Sequence, residues 1–356
     1  MTALLSRYAE CMFWFGRYTE RSACLARILE VQTSFSRGKS EDKANWSWIV
    51  TLYDDRERFH AKHDRADARN VIEFYLTDRD NPGSIVSSIH ASRENARTLR
   101  ALISTDLWLQ VNAFYNRFRS LPASELSEAR LAQTCQMVKK EAYAQLGVAN
   151  ATFYRDAAWR FFMFGILIER ADQMSRLLDV RFAQLPDQAA DENGALGDFG
   201  FWSVLLRSAA SQQAFLRAAR GRREPEIVAR FLIFDQGLPR SISFCVSELE
   251  RGINELRRRF DVRGAARPHE KIDILQQTLA EAGQDEKLVE RLHQFNDLIQ
   301  RQLADLTNEF ARSFFGMPGE DTNAGGTPPR TAPSSSQSQS QNGPATQVQS
   351  SGSGLV

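Results

Sequence analysis

The sequence lacks most of the features that mark a familiar chemistry. Its 356 residues include only four cysteines and five histidines. Cys11, Cys24, Cys135 and Cys245 stand far apart, without a Cys-x-x-Cys or other ligand spacing, and read as small buried hydrophobes of a reducing compartment. Forty-five basic against 44 acidic residues leave a formal charge of +1, short of the basic excess expected of a general nucleic-acid binder. No window of about 18 apolar, uncharged residues occurs, so no membrane span is expected. The N-terminal apolar run is interrupted by Arg7 and Glu10 and meets no small-residue cleavage site, so a secretory leader is not expected either. These readings point to the cytoplasm, of bacterial type if the host is bacterial. There is no Walker A loop, no GxGxxG opening a βαβ unit and no GxSxG elbow. Helical di-iron sites need two Glu-x-x-His motifs on facing long helices, and besides Glu290-Arg291-Leu292-His293 the chain has Glu57-Arg58-Phe59-His60 only in a polar stretch that reads as solvated surface. No metal and no cofactor are expected.

Period-two alternation over a strand length is also missing, as are hairpin-type glycine turns, and this leaves an all-α chain. What is present is repetition. The stretch from Leu4 to about Val31 reads as one long helix, and Asp156 to Val180 copies it without a gap. Phe15/Phe164, Gly16/Gly165, Glu20/Glu169, Arg21/Arg170, Arg27/Arg176, Leu29/Leu178 and Val31/Val180 coincide, seven of seventeen positions, where about one would by chance. A second motif recurs in the same order. Val71 to Ile85 and Val228 to Ile242 share Phe74/Phe231, Asp78/Asp235, Pro82/Pro239, Ser84/Ser241 and Ile85/Ile242. The offsets are 149 and 157 residues, and Trp48/Trp202 is a weaker third match between them. The expected architecture is an internally duplicated multi-helix bundle of long amphipathic helices over residues 1–315, with halves near 1–145 and 150–315.

In the first helix Leu5, Ala9, Phe13, Gly16 and Ala23 follow three-four spacing, which predicts one buried face. Glu20 lies on this stripe, and Gly16, one turn earlier, lets another backbone approach. Arg7, Glu10, Trp14, Arg17 and Arg21 form a second, polar stripe. The helix should end near Ser34 to Gly38, and Asn45 or Ser47 should cap the next. Val71 to Thr77 reads as an apolar helix, broken at Asp78. Asn81 as N-cap and Pro82 as first helical residue then open a helix from Gly83 to about Ile103. Two more helices follow within Leu107–Leu121 and Leu126–Leu146. Their later counterparts run from Glu270 to about Ala282 and from Asp285 to Phe315. From residue 317 to 356 the chain is rich in Ser, Gln, Gly and Pro with almost no apolar residues, and a disordered tail is expected.

Few residues carry chemistry. A carboxylate on an apolar stripe needs a cationic partner. Glu20 and Arg21 diverge by about 100° and cannot pair with each other. Glu20 and Arg27 lie two turns apart on one face, as do Glu169 and Arg176. The repeat suggests a cross-pair, Glu20 of one half with an arginine of the other. Such pairs fix helix register. Alternatively they build a polar site in which two carboxylates hold an ammonium while Arg17, Arg21 or Arg170 holds a carboxylate or phosphate. The halves differ at Arg7, Glu10 and Arg17, which face Asp156, Trp159 and Ile166 in the second copy. A single site built mainly from the first half would therefore use Arg7, Glu10, Arg17 and Glu20, with Glu10 or Glu20 as the candidate acid/base. Asp78 and Asp235 fall at breaks between helices and are expected to brace free amides there, with ligand binding as the alternative. His60 and His63, with Asp64 nearby, lack a placed third ligand and read as solvated surface.

The segments LLSRYAECMFWFGRYTERSACLARILEV, FYLTDRDNPGSIVSSIHASRENARTLR and FLIFDQGLPRSISFCV resemble, in order, the opening, central and late segments of the bacterial alpha-E family. That family is an all-helical domain of unknown function named for its Glu-Arg motif, and the resemblance spans about residues 1–315. The motif falls on Glu20-Arg21, with an internal copy at Glu169-Arg170. Members are commonly encoded beside, or fused to, a circularly permuted ATP-grasp protein and a transglutaminase-like peptidase. The resemblance therefore implies an accessory or substrate-binding partner of an ATP-grasp-type peptide or amide ligase. The alternatives are an enzyme of the same pathway using Glu/Arg acid-base chemistry, or a structural scaffold or homo-oligomer. Cys11-Met12-Phe13 before Trp14, and Ser22, depart from the usual family pattern.

Overall fold

The computed structural model describes residues 6–36, 45–184, 202–220, 222, 224–260, 262 and 264–316. Among them there is no strand, and the fold is all-α. The long helices are α1 (Ser6–Ser36), α5 (Ile85–Thr98), α6 (Thr105–Arg119), α7 (Leu131–Thr152), α8 (Ala157–Phe182), α12 (Ile242–Arg259), α13 (Ala266–Gln284) and α14 (Leu292–Phe314). Shorter ones are α2 (Ser47–Leu52), α3 (Arg56–His60), α4 (Ala68–Ile72), α9 (202–208), α10 (Gln212–Ala218) and α11 (Pro225–Phe234). The Ser/Gln-rich tail at 317–356 lies outside the described residues.

The centre of the fold is the pair α1 and α8. Helix α1 packs on α5 and α7, and α5 and α7 hold α6 between them. Helix α8 packs on α12 and α14, which hold α13 in the same way. The two central helices meet at their glycines. A Cβ on Gly16 would overlap the Phe162 carbonyl oxygen, and one on Gly165 would overlap the Phe13 carbonyl oxygen. Each glycine thus lets the other helix's backbone into contact. Aromatic rings then close the seam on α14. Phe164 stacks on Phe310 at 5.2 Å, and Phe13 meets the same ring edge-on at 5.9 Å.

The single buried face expected for α1 is too narrow. Phe13 and Gly16 are buried, but so are Met12, Phe15, Arg17, Thr19, Glu20, Ser22 and Cys24, and Leu5 lies outside the described residues. A helix packed on by α5, α7, α8 and α14 keeps, beyond its exposed start and as far as Leu29, only a narrow, half-buried strip, Glu10, Cys11, Trp14, Tyr18 and Arg21, so its sequence loses the clean amphipathic stripe. It is described as far as Ser36, and the rest of the expected end, to Gly38, lies outside the described residues. The expected cap before α2 takes a different form. Asn45 Oδ1 accepts from Ser47 N at 3.0 Å, one residue ahead of the N-cap position, Trp46.

The Val71–Thr77 stretch is not one α-helix. After α4 the chain widens into a π-turn, Glu73–Thr77, in which Asp78 N donates to Glu73 O. The next helix starts at Ile85, with Ser84 as N-cap, rather than at Gly83. Asn81 cannot cap it because its side chain is engaged elsewhere. Its Nδ2 donates to Phe74 O at 3.0 Å, and its Oδ1 accepts from Gly83 N at 2.9 Å. That helix ends at Thr98, well before Ile103.

Candidate functional site

The α1–α8 seam carries the Glu-Arg pairs. One turn beyond Gly16, Glu20 is wholly buried, and one turn beyond Gly165, so is Glu169. Their partners come from the opposite helix. Glu20 Oε2 accepts from Arg170 Nε at 3.0 Å, while Glu169 accepts from both Arg21 Nε at 2.7 Å and Arg21 Nη2 at 2.9 Å. Each carboxylate also has a second arginine. Glu169 Oε2 accepts from Arg17 Nε at 2.8 Å. Glu20 Oε1 is 2.6 Å from Arg240 Nη2, in the turn before α12.

Burial alone would push both carboxyls up. The guanidiniums more than reverse this. Arg170, Arg240 and Arg27 hold Glu20 far below the usual carboxylate range, and Arg21 and Arg17 hold Glu169 at about 2. Both stay ionised at neutral pH. Neither can serve there as a proton donor, and their lone pairs already accept charge-assisted hydrogen bonds.

The same-face pairings read from α1 and α8 are not the ones formed. Arg176 Nε donates to Asp172 Oδ2 at 3.0 Å, one turn back on its own helix. Arg27 attracts Glu20 electrostatically, but its hydrogen bonds go to Tyr143 Oη at 2.8 Å, Ser208 O at 3.4 Å and Cys24 Sγ at 3.7 Å. The Cys24 thiol in turn donates to Glu20 Oε1 at 3.3 Å, and burial followed by that carboxylate pushes its pKa up.

Arg7 and Glu10 do not join the cluster. Ten residues at 1.5 Å per residue place Glu10 about 15 Å along α1 from Glu20. Arg7 is exposed and lines, with Tyr8, Arg97 and Thr98, a surface cavity of about 440 Å³. Glu10 is half-buried, and burial raises its pKa against the pull of Arg7.

Asp78 and Asp235 sit in equivalent turns. Asp78 Oδ1 accepts from Asp80 N at 2.9 Å, and Asp235 Oδ1 accepts from Gly237 N at 2.9 Å. Asp78 also pairs with Lys62 at 2.9 Å. Asp235 borders a cavity of about 350 Å³ with Arg217, Phe231 and Leu238. His60 turns back on its own loop, its Nδ1 3.2 Å from His63 O. A different histidine finds carboxylates. His293 Nδ1 lies 2.7 Å from Asp179 Oδ1, and with Asp297 their donor atoms fall within 4.8 Å of one another, at the surface. These are the residues that could hold a divalent cation.

Sequence reasoning missed Arg240, Tyr143 and Ser208. The signal for Arg240 lay in the second motif. In the alignment at an offset of 157 residues Arg240 stands opposite Gly83, just as Ile166 stands opposite Arg17 at an offset of 149. The second arginine of each carboxylate thus comes from a position where the aligned stretches differ.

A family model described as a predicted alpha-helical domain with a conserved ER motif, alpha-E, matches residues 4–315, and the chain belongs to that family. Uncharacterised proteins of Mycobacterium bovis and Mycobacterium tuberculosis are 26% identical to it over 295 residues, covering 77% of this chain and 32% of theirs. The chain therefore spans about a third of the length of these curated relatives. No solved structure matches it.

Proposed function

We propose that this alpha-E chain is an accessory or substrate-binding partner of a cytoplasmic ATP-grasp-type peptide or amide ligase, and that catalysis resides in the partner. The observation that carries this is the state of the name-giving glutamates. Glu20 and Glu169 are fully buried and held ionised by two guanidiniums each, so the motif supports the meeting of two helices rather than a reacting centre. The identity of the partner rests on the family resemblance, in which circularly permuted ATP-grasp proteins and transglutaminase-like peptidases accompany alpha-E chains. The length of the relatives is in keeping with this, because in them the matching region is one part of a much longer polypeptide. The reciprocal placement of Gly16 and Gly165, and of Glu20 and Glu169, also supports an origin by duplication. No described helix is long and apolar enough to cross a membrane.

The test is to tag the chain in its own host and identify what co-purifies. Recovery of an ATP-grasp protein whose ATP-dependent amide-forming activity rises when the chain is added back is the expected result. Amide-bond formation or cleavage by the isolated chain would overturn the reading. One observation favours that second, enzymatic reading. Among the candidate carboxyls Glu10 is the one whose pKa ends up raised, by burial, and its neighbour Arg7 lines a surface cavity of about 440 Å³. Under that reading Glu10→Gln abolishes the activity of the isolated chain, whereas under the accessory reading the isolated chain has none to lose.

A further inference from the structure

Around Glu20 the cations outnumber the anions. Arg170 and Arg240 both bind this carboxylate, and Arg27 attracts it from two turns further along α1. Three guanidiniums against one carboxylate leave two positive charges in one place. No carboxylate among the described residues forms an ion pair with Arg27, although it is only 5% exposed. The Glu169 side is closer to balance, since Arg17 and Arg21 share Glu169 and Arg176 has Asp172. An uncompensated guanidinium inside a fold is costly, and an anionic ligand removes that cost.

Two further observations point the same way. Ser208 is 3% exposed, and its Oγ has no hydrogen-bond partner, although its carbonyl already accepts from Arg27. Tyr143 Oη accepts from Arg27, and its own proton has no acceptor among the described residues. Two residues that touch the same guanidinium thus carry hydroxyls with no acceptor among the described residues. Tyr143 is 43% exposed, so this end of the cluster reaches solvent, and the Arg170 and Arg240 side chains are 16% and 13% exposed.

We propose that Arg27, Arg170 and Arg240, with the hydroxyls of Tyr143 and Ser208, form a binding site for a phosphoryl dianion. The double negative charge matches the local excess, and three planar forks with two hydroxyls suit an acceptor with several oxygens. A carboxylate carries half the charge and fewer acceptor sites. The site stands independently of the ligase partnership, because it needs nothing beyond this chain.

The experiment is calorimetric titration of the full chain with inorganic phosphate at neutral pH and constant ionic strength, with acetate and chloride in parallel. Saturable phosphate binding that acetate and chloride do not reproduce is expected. Arg27→Gln should weaken it at least about tenfold, the scale of a lost charge-assisted hydrogen bond. Tyr143→Phe, at the solvent edge, should weaken it about threefold while leaving the fold intact, and carries the test if Arg27→Gln does not fold. Arg97→Gln, in the α1–α5 cavity, should leave binding unchanged. Competition by phenyl phosphate would place the phosphoryl group on a larger ligand, and its failure to compete would mark a site for free phosphate. Either result upholds the dianion. The proposal is overturned if wild type does not bind phosphate, if acetate binds equally well, or if binding survives both Arg27→Gln and Tyr143→Phe.

Discussion

Glu169 and Glu20 each bring two arginines to rest, and their removal would not return those arginines to water. With Glu169 replaced by Gln, Arg17 and Arg21 lose the one carboxylate that pairs with both among the described residues. Breaking a buried pair in this way costs about 3–5 kcal/mol. Glu169→Gln and Glu20→Gln should each lower the unfolding free energy by that order, seen as a lower denaturant midpoint, and an unchanged midpoint would show that the pairs are idle. The same pairs set the acid limit. A carboxyl whose folded pKa lies below its unfolded value contributes stability that is fully present above the unfolded pKa and is lost as pH falls through the folded one. For Glu169 that window runs from the ordinary 4.5 down to about 2. Stability measured across it should fall steeply in wild type and less steeply in Glu169→Gln. An equal slope in both would mean that other carboxylates govern acid unfolding.

At the scale of elements, the α1–α8 contact depends on two missing side chains. A methyl group at Gly16 or Gly165 meets a carbonyl oxygen of the opposite helix, and backbone cannot swing aside as a flexible side chain would. Overpacking of this kind costs about 1–3 kcal/mol, which exceeds the gain of roughly 1 kcal/mol in helix propensity on replacing Gly by Ala. Gly16→Ala and Gly165→Ala should therefore both destabilise the protein. Gly147 on α7 is the control, since a Cβ there meets nothing within 4 Å, and Gly147→Ala should stabilise. If all three substitutions stabilise, the close approach is not what holds the helices together. The two turns after the Asp78 and Asp235 motifs follow the same local chemistry. Ser84 and Ser241 each accept a backbone N–H at the start of the following helix, at 3.2 and 3.1 Å.

At the scale of the whole molecule, the described residues between 6 and 316 form one compact unit. Its helices fall into two groups, α1 with α5–α7 and α8 with α12–α14, but neither group has a core of its own at the seam. Phe13 of α1 and Phe164 of α8 share Phe310, and the buried glutamates draw arginines from both sides. Unfolding should therefore be a single cooperative transition followed alike by tryptophan fluorescence and far-ultraviolet circular dichroism. Glu20→Gln should shift that transition without splitting it. Two separated transitions would show that each group folds alone.

The all-α class, the two long Glu-Arg helices and the two glycines could be read from the sequence. Each rests on local signals, namely the absence of period-two patterns, the ungapped match of Phe15–Val31 to Phe164–Val180, and a residue type whose lack of a side chain invites close approach. The sequence also placed a carboxylate where it would need a cation from elsewhere. It could not say which cation. Arg27 and Arg176 share a helix face with Glu20 and Glu169, yet Arg170, Arg240, Arg17 and Arg21 take the carboxylates. Spacing along one helix fixes direction but not the distance to a second helix, and the seam brings the opposite strip of arginines closer. Arg7 and Glu10 join Arg17 and Glu20 in the sequence because Arg7, Glu10 and Arg17 are where the two aligned stretches differ, and the structure separates them, since Glu10 lies about 15 Å along α1 from Glu20 and Arg7 lines an exposed cavity. The packing of four helices on α1, Asn81 turning inward rather than capping, and Arg27 meeting Tyr143 and Ser208 depend on contacts between distant parts of the chain or on a neighbouring turn's carbonyl. Such contacts leave no periodic mark, and only the packed fold decides them.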